Sequence, residues 1–157
     1  MDKKELLNKI KSIMKEEGYI VKNNKFMIEY PLCYVQVGLF FPRGIAELEY
    51  NISIKEIHGI LTKEDINDYT KWDFWAIQKL NNEHGLHTEY NENLLSYDIE
   101  DMEKIIKQQL EEYIKPFEND LINYLKKGRL FKYPDEEEPH YVQFYMEDVL
   151  VEYLSKF

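Results

Sequence analysis

The sequence predicts an α+β domain, a small antiparallel sheet of three to four strands packed against several amphipathic helices. Three observations carry that prediction. Residues 25 to 57 alternate apolar and polar side chains through three short runs. The flanking segments instead repeat apolar residues at three- and four-residue spacing, the period of a helix with one buried face. At 157 residues, 44% of them hydrophobic and including two Trp, 13 Tyr and eight Phe, the chain has the size and apolar content of one domain, residues 1 to 157, around one core.

The elements follow in order. Leu6, Leu7, Ile10, Ile13 and Met14 form one helical stripe, Asp2 is placed to cap its start, and Gly18 stands where a left-handed C-terminal cap is wanted. Tyr19 to Val21 read as a short strand and Asn23-Asn24 as a turn able to take positive φ. Phe26, Ile28 and Tyr30 occupy alternate positions of the next strand, which Pro31 interrupts or marks as an edge. Val35, Val37 and Leu39 give another alternation. After a turn at Phe41-Pro42-Arg43-Gly44, Ala46, Leu48, Tyr50, Ile52 and Ile54 share one face while Glu47, Glu49, Asn51, Ser53 and Lys55 take the other. That pattern predicts a sheet with one face against helices and one face in water.

Thr62 and Asp65 resemble a shortened capping box and predict a helical stretch through Trp72, Trp75, Ala76, Lys79 and Leu80. Residues 81 to 93 read as a polar loop. Asp98 is placed to cap a helix with Ile99, Met102, Ile105, Ile106, Leu110, Tyr113 and Ile114 on one stripe, until Pro116 kinks or ends it. A further helix runs through Leu121 and Leu125 to Gly128. Residues 133 to 139 read as an acidic loop, and a final helix carries Tyr141, Val142, Tyr145, Met146, Val149, Leu150, Tyr153 and Leu154.

Charge narrows the function. The net charge is -10, yet residues 1 to 25 hold seven Lys against four acids, so the remaining 132 residues carry -13. An exterior of that sign repels phosphate backbones and anionic membranes, and only Arg43 and Arg129 supply the bidentate fork that grips phosphates and guanine edges. Direct nucleic-acid or membrane binding is therefore disfavoured. The first 17 residues alternate charge too densely for a signal peptide or a membrane span, which places the protein in the cytoplasm. Cys33 is the sole cysteine, so an intramolecular disulfide is excluded and a small core hydrophobe is the expected role.

The sequence has no GxGxxG, no GxxxxGK[ST] and no GxSxG, so nucleotide-binding and hydrolase readings lack support and no cofactor is expected. His84 and His87, with Glu83 and Glu89 nearby, are weak candidates for metal ligands, because Gly85 lies between them in a segment read as loop. His58 at the strand exit and His140 before the last helix would serve as general bases if a carboxylate oriented them. Trp72 and Trp75, placed on one helical face, read chiefly as core; an exposed one would anchor an interface. Tyr133, Asp135, Glu136, Glu137 and Glu138, between Pro134 and Pro139, form a pinned acidic loop that would lose little entropy on meeting a basic partner.

By layout the chain resembles an uncharacterised bacterial family of α+β domains. The likeness lies in the leading helix, the Gly18-Tyr19 boundary, the meander, the segment with Trp72 and Trp75, and the amphipathic helices after it, over roughly residues 3 to 127. No catalytic residues carry over from it. Small acidic single domains of this kind also resemble toxin-immunity proteins, which implies stoichiometric binding in place of catalysis. The expectation is a non-enzymatic acidic binder that neutralises a basic protein partner. The alternatives are a small enzyme or ligand-binding domain with a histidine acid/base in a pocket between sheet and helices, and a homodimer joined through the final helix.

Overall fold

The computed structural model describes the chain apart from residues 42, 43, 45, 77–93, 128, 132–139, 143, 144 and 147. The α+β class holds, with a meander packed against helices. Helix α1 (Lys3–Glu16) starts where Asp2 accepts a hydrogen bond from the Glu5 N–H at 2.8 Å. It ends at Gly18, whose φ of 91° lets the Tyr19 N–H reach the Met14 carbonyl and the Gly18 N–H the Lys15 carbonyl. Those two bonds satisfy carbonyls that the helix end would otherwise leave open.

Strands β1 (Ile20–Lys22), β2 (Lys25–Glu29), β3 (Cys33–Phe40) and β4 (Glu47–Ile54) form the meander, and Asn23 takes the positive φ expected of the first turn. Two short strands extend it: β5 (Phe74–Ala76) on β4, and β8 (Tyr145–Met146) on β5, giving the order β1-β2-β3-β4-β5-β8 with every neighbour antiparallel. Strands β6 (Arg129–Phe131) and β7 (His140–Val142) pair as a separate ribbon.

One face of the sheet carries the main core. Phe26, Val35, Val37, Leu48, Tyr50 and Ile52 meet Leu6, Ile10 and Met14 of α1, Met102 and Ile106 of α3 (Ile99–Gln109), and Leu121 and Leu125 of α4 (Leu121–Lys127). Each such side chain taken fully out of water contributes about 1.5–3 kcal/mol. Asp98 caps α3 through the Asp101 N–H, as its position predicts. The helix then passes into a π-turn, Leu110–Ile114, and a 3-10 turn, Lys115–Phe117, that holds Pro116 in its first turn. Proline has no N–H to give the preceding turn and its ring crowds the carbonyl four residues back, so the backbone widens upstream of it.

Three expectations are corrected. The stretch from Thr62 is not a long helix: after the short α2 (Lys55–His58) come two 3-10 turns, Lys63–Asn67 and Tyr69–Lys71, and then β5, so Trp72 follows a turn and Trp75 lies in a strand. The Thr62–Asp65 capping box does form, but it opens a single turn, because Asp68 caps the next one through Thr70. The second face of the sheet is not simply wet. Residues 59 to 73 fold over part of it, and Met27, Tyr34, Leu61, Ile66 and Trp72 make a small second core there. Nor does a helix begin at Tyr141, since Tyr and Val favour strands and residues 140–142 and 145–146 pair in β7 and β8; α5 is confined to Asp148–Leu154.

Candidate functional site

A groove of about 410 Å³ lies between the end of α1, the tip of β2 and the π-turn. Three local devices assemble it. The glycine cap of α1 turns the chain so that Glu17 and Tyr19 border the groove. The Tyr30 N–H bonds the Cys33 carbonyl at 2.8 Å, closing the Pro31-Leu32 turn and fixing Glu29 and Tyr30 at its edge. The π-turn then places Glu111, and the turn after it Lys115 and Glu118, along the remaining wall. Single π-turns inside helices recur at functional sites because they displace side chains from the regular helical face.

Four carboxylates thus surround the groove against one lysine. Glu29 pairs with Lys55 at 2.5 Å and Glu111 with Lys115 at 3.4 Å, whereas Glu17 and Glu118 enter neither pair. The two tyrosines in the wall register the resulting field. Burial pushes the Tyr19 hydroxyl well above its ordinary value, with Tyr30, Tyr50 and Glu17 adding to the effect. Burial and then the Glu118 charge push Tyr30 up to about 12. Both remain neutral donors near neutral pH, and they share a hydrogen bond. The groove therefore offers negative charge at its rim and aromatic hydroxyl surface in its wall, chemistry suited to a lysine or arginine side chain.

A second constellation lies where β4 ends and β5 begins. His58 ends α2, directly after β4, and its Nε2 meets Asp73 Oδ2 at the head of β5. Asp73 is 4% exposed. Burial raises its pKa and the neighbouring imidazole opposes that rise. This is a histidine held by a carboxylate, the arrangement a general base requires. Neither residue lines the acidic groove. Nearby on β4, Ser53 is fully buried and its Oγ has no hydrogen-bond partner among the described residues.

The other candidates distribute as follows. Trp72 is 7% exposed, donates from Nε1 to the Asp65 carbonyl at 3.1 Å, and belongs to the second core. Trp75 pairs with Asn51 in the ladder, and His140 with Phe131. Tyr133, Asp135, Glu136, Glu137 and Glu138 lie outside the described residues, as do His84 and His87. Among the described residues, no group of three or more His, Cys, Asp or Glu is disposed to hold a metal, and no helix is long and apolar enough to cross a membrane. Cys33 is fully buried, and burial drives its thiol up to about 12, so it is inert as a nucleophile.

Sequence reasoning missed the groove. Its carboxylates sit 7 to 101 residues apart along the chain, and nothing marks Glu17, Glu29, Glu111 or Glu118 among 30 acidic residues. The available signals were the Gly18 cap and Pro116, whose backbone effects shape two of its walls. No family model, curated protein or solved structure matches this chain.

Proposed function

We propose that the chain is a non-enzymatic acidic binding protein that takes a basic segment of a partner protein into the groove bordered by Glu17, Glu29, Glu111 and Glu118. The observation that carries this reading is that Glu17 and Glu118 border a concavity with tyrosine walls outside the two lysine pairs that engage Glu29 and Glu111. A net charge of -10 adds long-range attraction that speeds encounter with a cationic surface. Close contacts with Tyr19 and Tyr30 then set the rate of dissociation. A toxin with a cationic, phosphate-binding surface, such as a nuclease, has the required chemistry, and its neutraliser would be an immunity protein.

The test is retention of lysate proteins from the source organism at low salt on the immobilised chain and on its Glu17→Gln/Glu118→Gln variant. One basic protein held stoichiometrically by the natural chain, released by rising salt and lost by the variant, is the expected outcome. Equal retention by both forms, or retention indifferent to salt, contradicts the assignment.

A second reading, a small enzyme using a histidine acid/base, is favoured by the His58–Asp73 contact. His58 lines neither the acidic groove nor the cavity bounded by Phe40, Tyr69 and Trp72. The third, a homodimer through the last helix, has Val149 and Val151 to work with; Leu150, Tyr153 and Leu154 of α5 are already used in the main core.

A further inference from the structure

The second face of the sheet carries a cavity of about 280 Å³, independent of the acidic groove and different from it in chemistry. Its walls are aromatic: Phe40, Tyr69 and Trp72. Phe40 holds its place because residue 38 is glycine. A Cβ there would lie 2.4 Å from Phe40 Cε2, so the ring folds back over its own strand into space that no other residue leaves open. Trp72 is fixed by its indole bond to Asp65, and Tyr69, 86% exposed, stands at the mouth.

The floor is polar and ordered. Asn51 Nδ2 donates to Gln36 Oε1 at 2.9 Å, and Gln36 Nε2 donates to the Ile66 carbonyl. That relay occupies both polar atoms of the 5%-exposed Gln36 and holds it fixed. Asn51, which lines the cavity, has a second N–H and its carbonyl oxygen outside the relay. Lys25 is the single charged residue among the described lining, a reversal of sign in so acidic a chain. Glu49 shares this face, in register with Gly38 as Lys25 is from the other side. It stands against an anion, and Lys25 has to outweigh it.

Rings for walls, an anchored amide for a floor and one ammonium at the edge define a ligand. It has a flat ring, an edge able to exchange hydrogen bonds with a carboxamide, and one negative charge. The volume lies near the lower end of small-molecule pockets, which suits one ring better than a nucleotide. We propose that this cavity binds a small heteroaromatic acid, with its ring against Phe40, Tyr69 and Trp72, its edge on Asn51 and its carboxylate on Lys25.

The experiment is titration of the full ¹⁵N-labelled chain with pyridine-3-carboxylate, with its uncharged carboxamide, and with cyclohexanecarboxylate, the saturated acid. The pyridine acid is expected to move the side-chain amide signal of Asn51 and the Trp72 indole signal, with a Kd on the order of 1 mM. The carboxamide and the saturated acid are each expected to bind at least about threefold more weakly. Lys25→Gln should weaken the pyridine acid about threefold and leave the carboxamide unchanged, and Glu49→Gln should tighten the acid. Neither exchange touches a buried group, and unchanged backbone signals elsewhere verify the fold. The Glu17→Gln/Glu118→Gln variant should bind all three probes as the natural chain does, which separates this site from the groove. Still signals up to about 20 mM acid, equal affinity for the three probes, or indifference to Lys25→Gln would each overturn the proposal.

Discussion

The two faces of one sheet differ in what they bury. Against the helices, β2, β3 and β4 present an unbroken apolar surface, and Phe26, Val35, Val37 and Ile52 are fully buried among side chains from four helices. Under residues 59 to 73 the same strands present Gln36, Asn51 and Ser53 beside the five-residue second core, and the polar contacts that tie that cover down include the Gln36 hydrogen bond to the Ile66 carbonyl, the Asp73 N–H to the Ile52 carbonyl at 2.9 Å, the Lys22–Glu64 pair at 3.0 Å and the His58–Asp73 contact. The first face has the features of a stabilising core. The second has polar groups held in fixed positions at the expense of apolar burial, which is where chemistry that needs positioned side chains can reside.

The contrast is broken most directly by truncation on each face. Phe26→Ala on the helix face is expected to cost about 3–5 kcal/mol, seen as a lower urea midpoint at unchanged slope. Ile66→Ala on the second face should cost less, about 2 kcal/mol, because its surroundings are thinner and relax into the gap. Native-state hydrogen exchange checks the mechanism: amides of residues 61–72 should open in Ile66→Ala through a local event that leaves α1 and β3 protected. If the variant instead lowers protection everywhere alike, the faces are one cooperative unit and the distinction fails.

The smallest effect sharpens the comparison through pH. His58→Ala leaves the buried Asp73 without its imidazole and should cost about 1–2 kcal/mol near neutral pH. The sign follows from linkage. Burial holds the Asp73 pKa above its ordinary 3.8, so the folded chain keeps that proton longer than the unfolded one. The stabilisation is full below 3.8 and is lost as pH rises through the folded value. Removing His58 takes away the opposing influence, so stability of the variant should fall more steeply than that of the natural chain as pH rises above 3.8. Parallel profiles for the two proteins would mean that the contact does not govern Asp73.

The helix face was legible in the sequence and the second face was not, for a physical reason. Alternation in β4 and the stripes of α1 and α3 report apolar burial, which is periodic, and the caps at Asp2, Asp98 and Gly18 are local enough to be read from single residues. Glu47, Glu49, Asn51, Ser53 and Lys55 spell the same polar pattern whether water or a thin cover lies over them. Trp72 and Trp75 are three apart, a helical spacing, yet Asp68 and Asp73 divide that stretch into a turn and a strand. His58 and Asp73 lie 15 residues apart and meet because the intervening loop returns to the sheet edge. The acidic groove joins three distant chain segments, and no local pattern encodes such a meeting.

The π-turn at Leu110–Ile114 makes the chain's phase a testable quantity. A π-turn is a helix with one residue too many for its α register. Deleting one of those five residues would restore the regular register and rotate everything beyond it by about 100° relative to α3. Phe117, Leu121 and Leu125, now buried in the main core, would swing off it, while Glu111 and Glu118 would no longer border the same wall. A one-residue deletion here should therefore be worse tolerated than an apolar-to-alanine exchange at any one of those positions, since it misaligns all of them at once.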